Sequence, residues 1–139
     1  MVYFSGIGCP RCGLADPVIL EQLPREYPNL VVIECEFYQQ TQNSPVLYEY
    51  ASKYNSGWKN PLIILNHEIH FEADRQALKN IRGMIEELDC NECPLIDGSS
   101  QGFNDLDPAS LPGYPRIWYQ DKILMKMGSE GDGKLLKNH

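Results

Sequence analysis

The stretch VYFSGIGCPRCGLADP, residues 2–17, decides the expected fold. Its first residues are mostly β-branched or aromatic and run into a glycine-rich turn, which is typical of a short buried strand. Pro10 then favours the start of a helix, because the missing N–H of proline costs nothing in the first helical turn. The stretch therefore predicts a strand, a turn and a helix, with Cys9 and Cys12 where the helix begins.

The composition narrows the possible partners of this 139-residue chain, which is long enough for one domain with a real core. The net charge is −7, and nucleic acid is an unexpected partner because phosphate binding needs clustered Lys and Arg. No apolar run is long enough to cross a bilayer, so we expect no membrane insertion in this chain. No signal-peptide pattern follows Met1. Two localisations stay open: cytoplasmic, or extracytoplasmic if a signal or membrane segment was removed.

Hydrophobic patterns predict the element order β-α-β-α-β-β-α over residues 1–89. Pro17 should disturb the first helix, since it removes one backbone hydrogen bond. We therefore predict an α/β fold in which a central mixed sheet is flanked by helices. After the first strand and helix, the predicted elements are a strand within 29–38, a helix within 43–57, a hairpin over 60–73 and a helix over 76–89.

Residues 90–139 are expected to form an irregular C-terminal extension. Its first part is rich in Asp, Gly, Ser and Pro and lacks periodicity, which is typical of a long connection. Residues 114–128 predict an added hairpin on a sheet edge, and residues 133–139 look like the start of an amphipathic helix. The predicted organisation is a core at 1–89 and an extension at 90–139 that carries a second CxxC, a loop, the hairpin and the start of a helix.

A CxxC pair alone fits dithiol enzymes, zinc sites and iron–sulfur sites. A redox pair needs its first sulfur at a helix N-terminus, where free N–H groups and the helix dipole stabilise thiolate over thiol. The predicted layout gives Cys9 that position. Arg11 lies between the two cysteines, where its positive charge would lower the thiolate pKa further; a solvated surface arginine is the alternative.

The sequence CPRCGLADPVILEQL, residues 9–23, resembles the active-site helix of the thioredoxin superfamily. The shared features are the CxxC, a proline five residues after the second cysteine (Pro17) and the acidic amphipathic turn. The element order is also similar to the compact glutaredoxin-like form of that fold. The resemblance covers residues 1–89 and implies a thioredoxin-like fold in a divergent thiol-disulfide oxidoreductase.

The resemblance also assigns roles to residues outside the CxxC. The family places a cis-proline at the start of the third strand, where the neighbouring backbone pairs with substrate. Pro61 is the match and Pro115 the second choice, and an ordinary strand-opening proline is the alternative at Pro61. Two departures stand out: Gly8 replaces the tryptophan before the first cysteine, and Tyr3 stands near the position of the buried acid of thioredoxins.

The reaction implied by the resemblance begins when the Cys9 thiolate attacks a substrate disulfide, and Cys12 then resolves the mixed disulfide. The expected catalytic residues are thus Cys9 and Cys12. Arg11 would tune the thiolate and Pro61 would align the substrate. The expected partners are a protein or small-molecule disulfide and a redox partner protein for electron transport, with no cofactor and no metal.

A second pair, Cys90 and Cys93, is expected to be an auxiliary or structural disulfide that tethers the extension. The alternative is a second dithiol that exchanges electrons with the first. Cys35 lies in an apolar run and is expected to be a small buried hydrophobe. Two other functions stay open: a cysteine-based module for zinc or copper, and a redox-inert thioredoxin-like domain that binds proteins within a larger polypeptide.

Overall fold

The structure is a computed structural model that describes residues 1–88, 92–120, 122–127 and 132–137. Its strands are β1 (Val2–Ser5), β2 (Val31–Glu36), β3 (Leu62–Ile64), β4 (His70–Glu72), β5 (Cys93–Pro94), β6 (Ser100–Gln101), β7 (Arg116–Tyr119), β8 (Lys122–Met127) and β9 (Asp132–Lys137). Its α-helices are α1 (Pro10–Asp16), α2 (Leu23–Glu26), α3 (Ser44–Tyr54) and α4 (Arg75–Glu87).

The central element is a seven-stranded mixed sheet with the order β4-β3-β1-β2-β7-β8-β9. The strands β1 and β2 are parallel, and the remaining neighbours pair in antiparallel fashion. A separate two-stranded sheet joins β5 to β6 within the long connection. The predicted α/β class with a mixed sheet is therefore confirmed.

Helices cover both faces of this sheet because side chains alternate along each strand. On one face, Val2 and Phe4 of β1 pack in the same cluster as residues of α3. On the other face, Tyr3 packs with residues of α1, α2 and α4. The central strands are buried on both sides, which explains the near-continuous apolar runs in their sequences.

The first helix shows the disturbance predicted at Pro17. Between α1 and α2 the chain continues as a π-helical segment over Pro17–Gln22. Proline has no N–H to donate to the preceding turn, and a widened turn is one way in which a helix accommodates that loss. The predicted helices, the strand at 29–38 and the hairpin at 60–73 are likewise present, so the element order over residues 1–88 is confirmed.

The C-terminal extension adds strands to the same sheet. Strand β7 pairs with β2, and Ile117 and Trp118 of β7 enter the two core clusters. The predicted added hairpin is thus β7–β8 at the side of β2. The predicted start of a helix at 133–139 is wrong, because Asp132–Lys137 pair with β8 as strand β9. A short segment nucleates a helix poorly, whereas an open strand edge supplies ready backbone partners.

In the part of the chain that the structure describes, no helix has the length and apolar character needed to cross a membrane.

Candidate functional site

The CxxC lies at the junction between strand β1 and helix α1. Strand β1 ends at Ser5, and Cys9 is the N-cap of α1. The Cys9 sulfur accepts a hydrogen bond from the Cys12 N–H at 3.3 Å. Gly8 has a φ of 94°, in the left-handed region that favours glycine, which gives a backbone reason for the glycine before the motif. The predicted placement of Cys9 at the helix start is confirmed.

The two sulfurs differ in access to solvent. Cys9 is partly exposed, whereas Cys12 is only 1% exposed. Burial, followed by the hydrogen bond with the Cys9 thiol, raises the pKa of Cys12 to about 12, although the Gly6 N–H opposes the shift from 3.3 Å. Both cysteines are free thiols in this structure. The pair therefore has one accessible sulfur and one that is enclosed and held protonated.

The Asn60–Pro61 peptide bond is cis, and it is placed beside this pair. Strand β3 begins at the next residue, and its first residue, Leu62, is paired with Phe4 near the end of β1. The Asn60 side chain reaches Cys12, with its Oδ1 at 3.5 Å from the Cys12 sulfur. The prediction that Pro61, rather than Pro115, follows a cis bond is confirmed. Its role in aligning a substrate stays a prediction.

Arg11 projects from the motif toward the edge of the sheet. Its guanidinium forms an ion pair with the Glu72 carboxylate at the end of β4, and its side chain is 65% exposed. Arg11 and Glu72 line an open groove between α1 and the start of α4, together with Leu14 and Arg75. The pairing with Glu72 offsets part of the arginine charge. Tuning of the thiolate by Arg11 stays a prediction.

A carboxylate that sequence reasoning missed lies on the helix side of the pair. Asp16 is four residues after Cys12 on α1, a spacing that places both on one helix face. The Tyr3 hydroxyl donates to Asp16 Oδ1 at 2.6 Å. Burial raises the pKa of Asp16, although the bond from Tyr3 opposes the shift, and the Asp16 charge in turn helps to raise the pKa of Cys12. The i, i+4 spacing in CGLAD was the available signal.

Glu36 joins two loops that border the site. Its carboxylate accepts hydrogen bonds from the N–H groups of Ile7, Tyr38, Gln39 and Gln40 at 2.9 to 3.2 Å. Burial by itself raises the pKa of Glu36, but these backbone donors outweigh it, and the net shift is downward. Sequence reasoning missed this residue because its partners are backbone groups. The loop before the CxxC and the loop after β2 are therefore fixed to each other.

The second cysteine pair falls partly outside the described residues. Cys90 lies there, so the predicted Cys90–Cys93 disulfide stays a prediction. Cys93 is fully buried in the core cluster on the α3 side, with its sulfur 3.9 Å from the Val31 carbonyl oxygen. Cys35 belongs to the same cluster and is 2% exposed, which confirms its prediction as a buried hydrophobe.

The described residues contain no group of three or more His, Cys, Asp or Glu side chains arranged to hold a metal ion.

Comparisons of this chain with protein-family models, curated proteins and solved structures find no match.

Proposed function

We propose that this protein is a thiol-disulfide oxidoreductase with a thioredoxin-like fold. The single observation that carries the proposal is the asymmetry of the CxxC pair: an accessible Cys9 at a helix N-cap and an enclosed, protonated Cys12. Disulfide exchange by a dithiol needs one thiol that is accessible to the substrate and a second thiol next to it that resolves the mixed disulfide. The element order over residues 1–88 and the cis bond before Pro61 match what the resemblance implies and support the fold assignment.

Two exchanges complete the proposed reaction. The Cys9 thiolate attacks one sulfur of the substrate disulfide, the substrate S–S bond breaks, and the released thiolate takes up a proton. The Cys12 thiolate then attacks the Cys9 sulfur, which forms the Cys9–Cys12 disulfide and releases the second substrate thiolate. Two electrons pass from the dithiol to the substrate, and a redox partner protein returns them. No cofactor enters either step.

Asp16 is the proposed acceptor of the Cys12 proton. A thiol with a pKa of about 12 is almost entirely protonated at neutral pH, so the second exchange needs a base. Burial raises the pKa of the Asp16 carboxyl, which makes it a stronger base than an exposed aspartate. Tyr3 stands near the family's buried acid position on β1, and its hydroxyl binds this helix carboxylate instead.

The Asp16→Asn variant tests that role. Asparagine keeps an oxygen that accepts from Tyr3 but cannot take a proton, so resolution by Cys12 should slow by about a hundredfold while attack by Cys9 is retained. Stopped-flow kinetics of the two exchanges would measure both steps. Asp105→Asn, an exposed carboxylate remote in sequence, is the control and should change neither. Resolution at the wild-type rate in Asp16→Asn would rule Asp16 out as the base.

The substrate is proposed to be a protein or small-molecule disulfide that enters over Cys9. The backbone beside Pro61 lies next to the enclosed cysteine, as the contact between Asn60 and Cys12 requires, and it would align an incoming chain. Arg11, which also meets Glu72, would tune the thiolate.

A redox titration of the full chain tests the proposed function. The protein is equilibrated in glutathione buffers of increasing oxidising strength, trapped with an alkylating agent and analysed by mass spectrometry, with bound zinc and copper assayed in parallel. We expect reversible formation of one Cys9–Cys12 disulfide, lost in the Cys9→Ser variant, without stoichiometric metal. Metal bound with both thiols protected would favour the metal-binding alternative, and a pair that never oxidises would favour the redox-inert one.

A further inference from the structure

The Asn60 side chain connects the enclosed cysteine to a surface tyrosine. Its Oδ1 lies 3.5 Å from the Cys12 sulfur, in position to accept the S–H hydrogen, and its Nδ2 donates to the Tyr38 hydroxyl at 3.1 Å. Both polar ends of one carboxamide are thus engaged, one by the site and one by the loop after β2. A carboxamide bound at both ends has a fixed orientation.

Tyr38 is itself held in place from two sides. Its N–H donates to Glu36 Oε2 at 3.0 Å, and that same oxygen accepts from Ile7 in the loop before the CxxC. Its ring lies against Gly6 so closely that a Cβ on that glycine would be 2.5 Å from ring atoms. Tyr38 is nevertheless half exposed. The hydroxyl that orients Asn60 therefore belongs to a residue that is fixed to the two loops bordering the site.

We propose that Asn60 is a positioning residue that acts through Cys12, and that Tyr38 fixes its orientation. The carboxamide oxygen accepts the Cys12 S–H and so keeps Cys12 a neutral thiol while Cys9 attacks as a thiolate. Two adjacent thiolates would repel each other, and an acceptor for S–H favours the protonated form of the second thiol. The inference rests on the proposed function and adds a residue that affects the rate of the second exchange.

The order of events follows from this contact. During the first exchange the proton stays on Cys12, and Cys9 attacks as the thiolate. Once the mixed disulfide has formed, Cys9 carries no charge, and Cys12 gives up its proton and breaks its hydrogen bond to Asn60. The strength of that bond therefore contributes, beside burial, to how long the mixed disulfide persists.

Variants of opposite chemistry at position 60 separate this role from a general disturbance. Asn60→Leu removes the acceptor at similar volume, so the second exchange should accelerate by about threefold for each tenfold gain in thiolate, because nucleophilicity falls as thiolate stability rises. Asn60→Gln keeps a carboxamide oxygen as the acceptor, so the second exchange should stay close to the wild-type rate. Tyr38→Phe keeps the ring on Gly6 but frees the carboxamide, and should act like a weaker Asn60→Leu.

The two exchanges are measured separately with Ellman's reagent, a small aromatic disulfide. Reduced protein releases one coloured thiolate when Cys9 attacks and a second when Cys12 resolves the mixed disulfide. The first phase should be unchanged in every variant and the second should change as stated, with the Tyr38→Phe/Asn60→Leu pair equal to Asn60→Leu alone. Tyr48→Phe, another half-exposed tyrosine, is the control and should change neither phase.

Three outcomes overturn the inference. Leucine and glutamine at position 60 that shift the second phase to the same extent would indicate a structural disturbance. An unchanged second phase in both variants would show that the contact between Asn60 and Cys12 does not affect the rate of the second exchange. Tyr38→Phe answers the same question if either variant fails to fold. A wild-type protein without a first phase contradicts the proposed function itself, and the inference falls with it; a normal first phase with an unresponsive second phase contradicts the inference alone.

Discussion

The Cys9→Ser variant is expected to lose disulfide exchange by at least about a thousandfold, because removal of a nucleophile that no other group replaces has effects of this size or larger. A serine hydroxyl does not ionise near neutral pH and does not attack a disulfide. Cys12 is unsuited as a substitute, since the residue is 1% exposed and its pKa is raised to about 12. Reduction of insulin by dithiothreitol, followed by turbidity, measures the loss.

The Cys12→Ser variant should fail differently. Cys9 retains its position at the N-cap of α1, so the first exchange proceeds and the mixed disulfide accumulates. Ellman's reagent should then release one coloured thiolate per protein from this site instead of two, and the adduct should appear at its expected mass. The two steps separate in this way because Cys9 is accessible to the substrate and Cys12 is buried.

Cys35→Ala is the matched control for both variants, because Cys35 is a buried thiol of β2 in the core cluster on the α3 side, and its replacement should leave the exchange rates unchanged. Loss of the first exchange in Cys12→Ser, or its retention in Cys9→Ser, would reverse the assigned roles. Equal and complete loss in the two variants would contradict the stepwise reaction.

Replacing Arg116 with methionine should destabilise the protein by about 2 to 3 kcal/mol at neutral pH. Arg116 on β7 pairs with Glu34 on β2 at 2.7 Å, and the Trp118 indole N–H donates to the other carboxylate oxygen at 2.9 Å. Glu34 is 2% exposed, so loss of its cation leaves a buried charge uncompensated. Breaking a fully buried pair costs about 3 to 5 kcal/mol, and the 37% exposure of Arg116 reduces that figure.

The loss should depend on pH in a defined direction. Burial raises the pKa of Glu34 above its ordinary 4.5, although Arg116 opposes the shift. A carboxyl whose folded pKa is raised costs no stability below its unfolded pKa, and its cost grows as the pH rises toward the folded pKa. Removal of Arg116 raises that folded pKa further. The difference between Arg116→Met and wild type should therefore be small below about pH 4.5 and grow as the pH rises above it.

Urea unfolding at several pH values measures both effects. Arg82→Met is the matched control, because Arg82 pairs with Glu26 between two exposed side chains, where an ion pair contributes little. Methionine preserves much of the packing of the arginine stem in both variants. Equal losses in the two variants, or a loss in Arg116→Met that does not change with pH, would contradict the buried-charge explanation.

The local elements around the site were predictable from sequence because their signals are local. Pro10 after Cys9 marks a helix start, and the apolar run at 62–65 that turns at Asn66-His67 marks a hairpin. Each signal depends on backbone preferences or on side-chain periodicity within one segment. The same reasoning failed at residues 133–139, where β9 forms because β8 offers an edge to pair with. That edge is not visible in the segment itself.

The sequence by itself determined the strand, turn and helix that place Cys9 at an N-cap, and it pointed to Pro61 through a resemblance. Only the tertiary structure decided which groups surround the enclosed Cys12. Asn60 approaches it from a loop 48 positions away, and Glu34 meets Arg116 across two strands 82 positions apart. Such contacts depend on how strands are ordered in the sheet, and strand order is set by the packing of the whole chain rather than by any one segment.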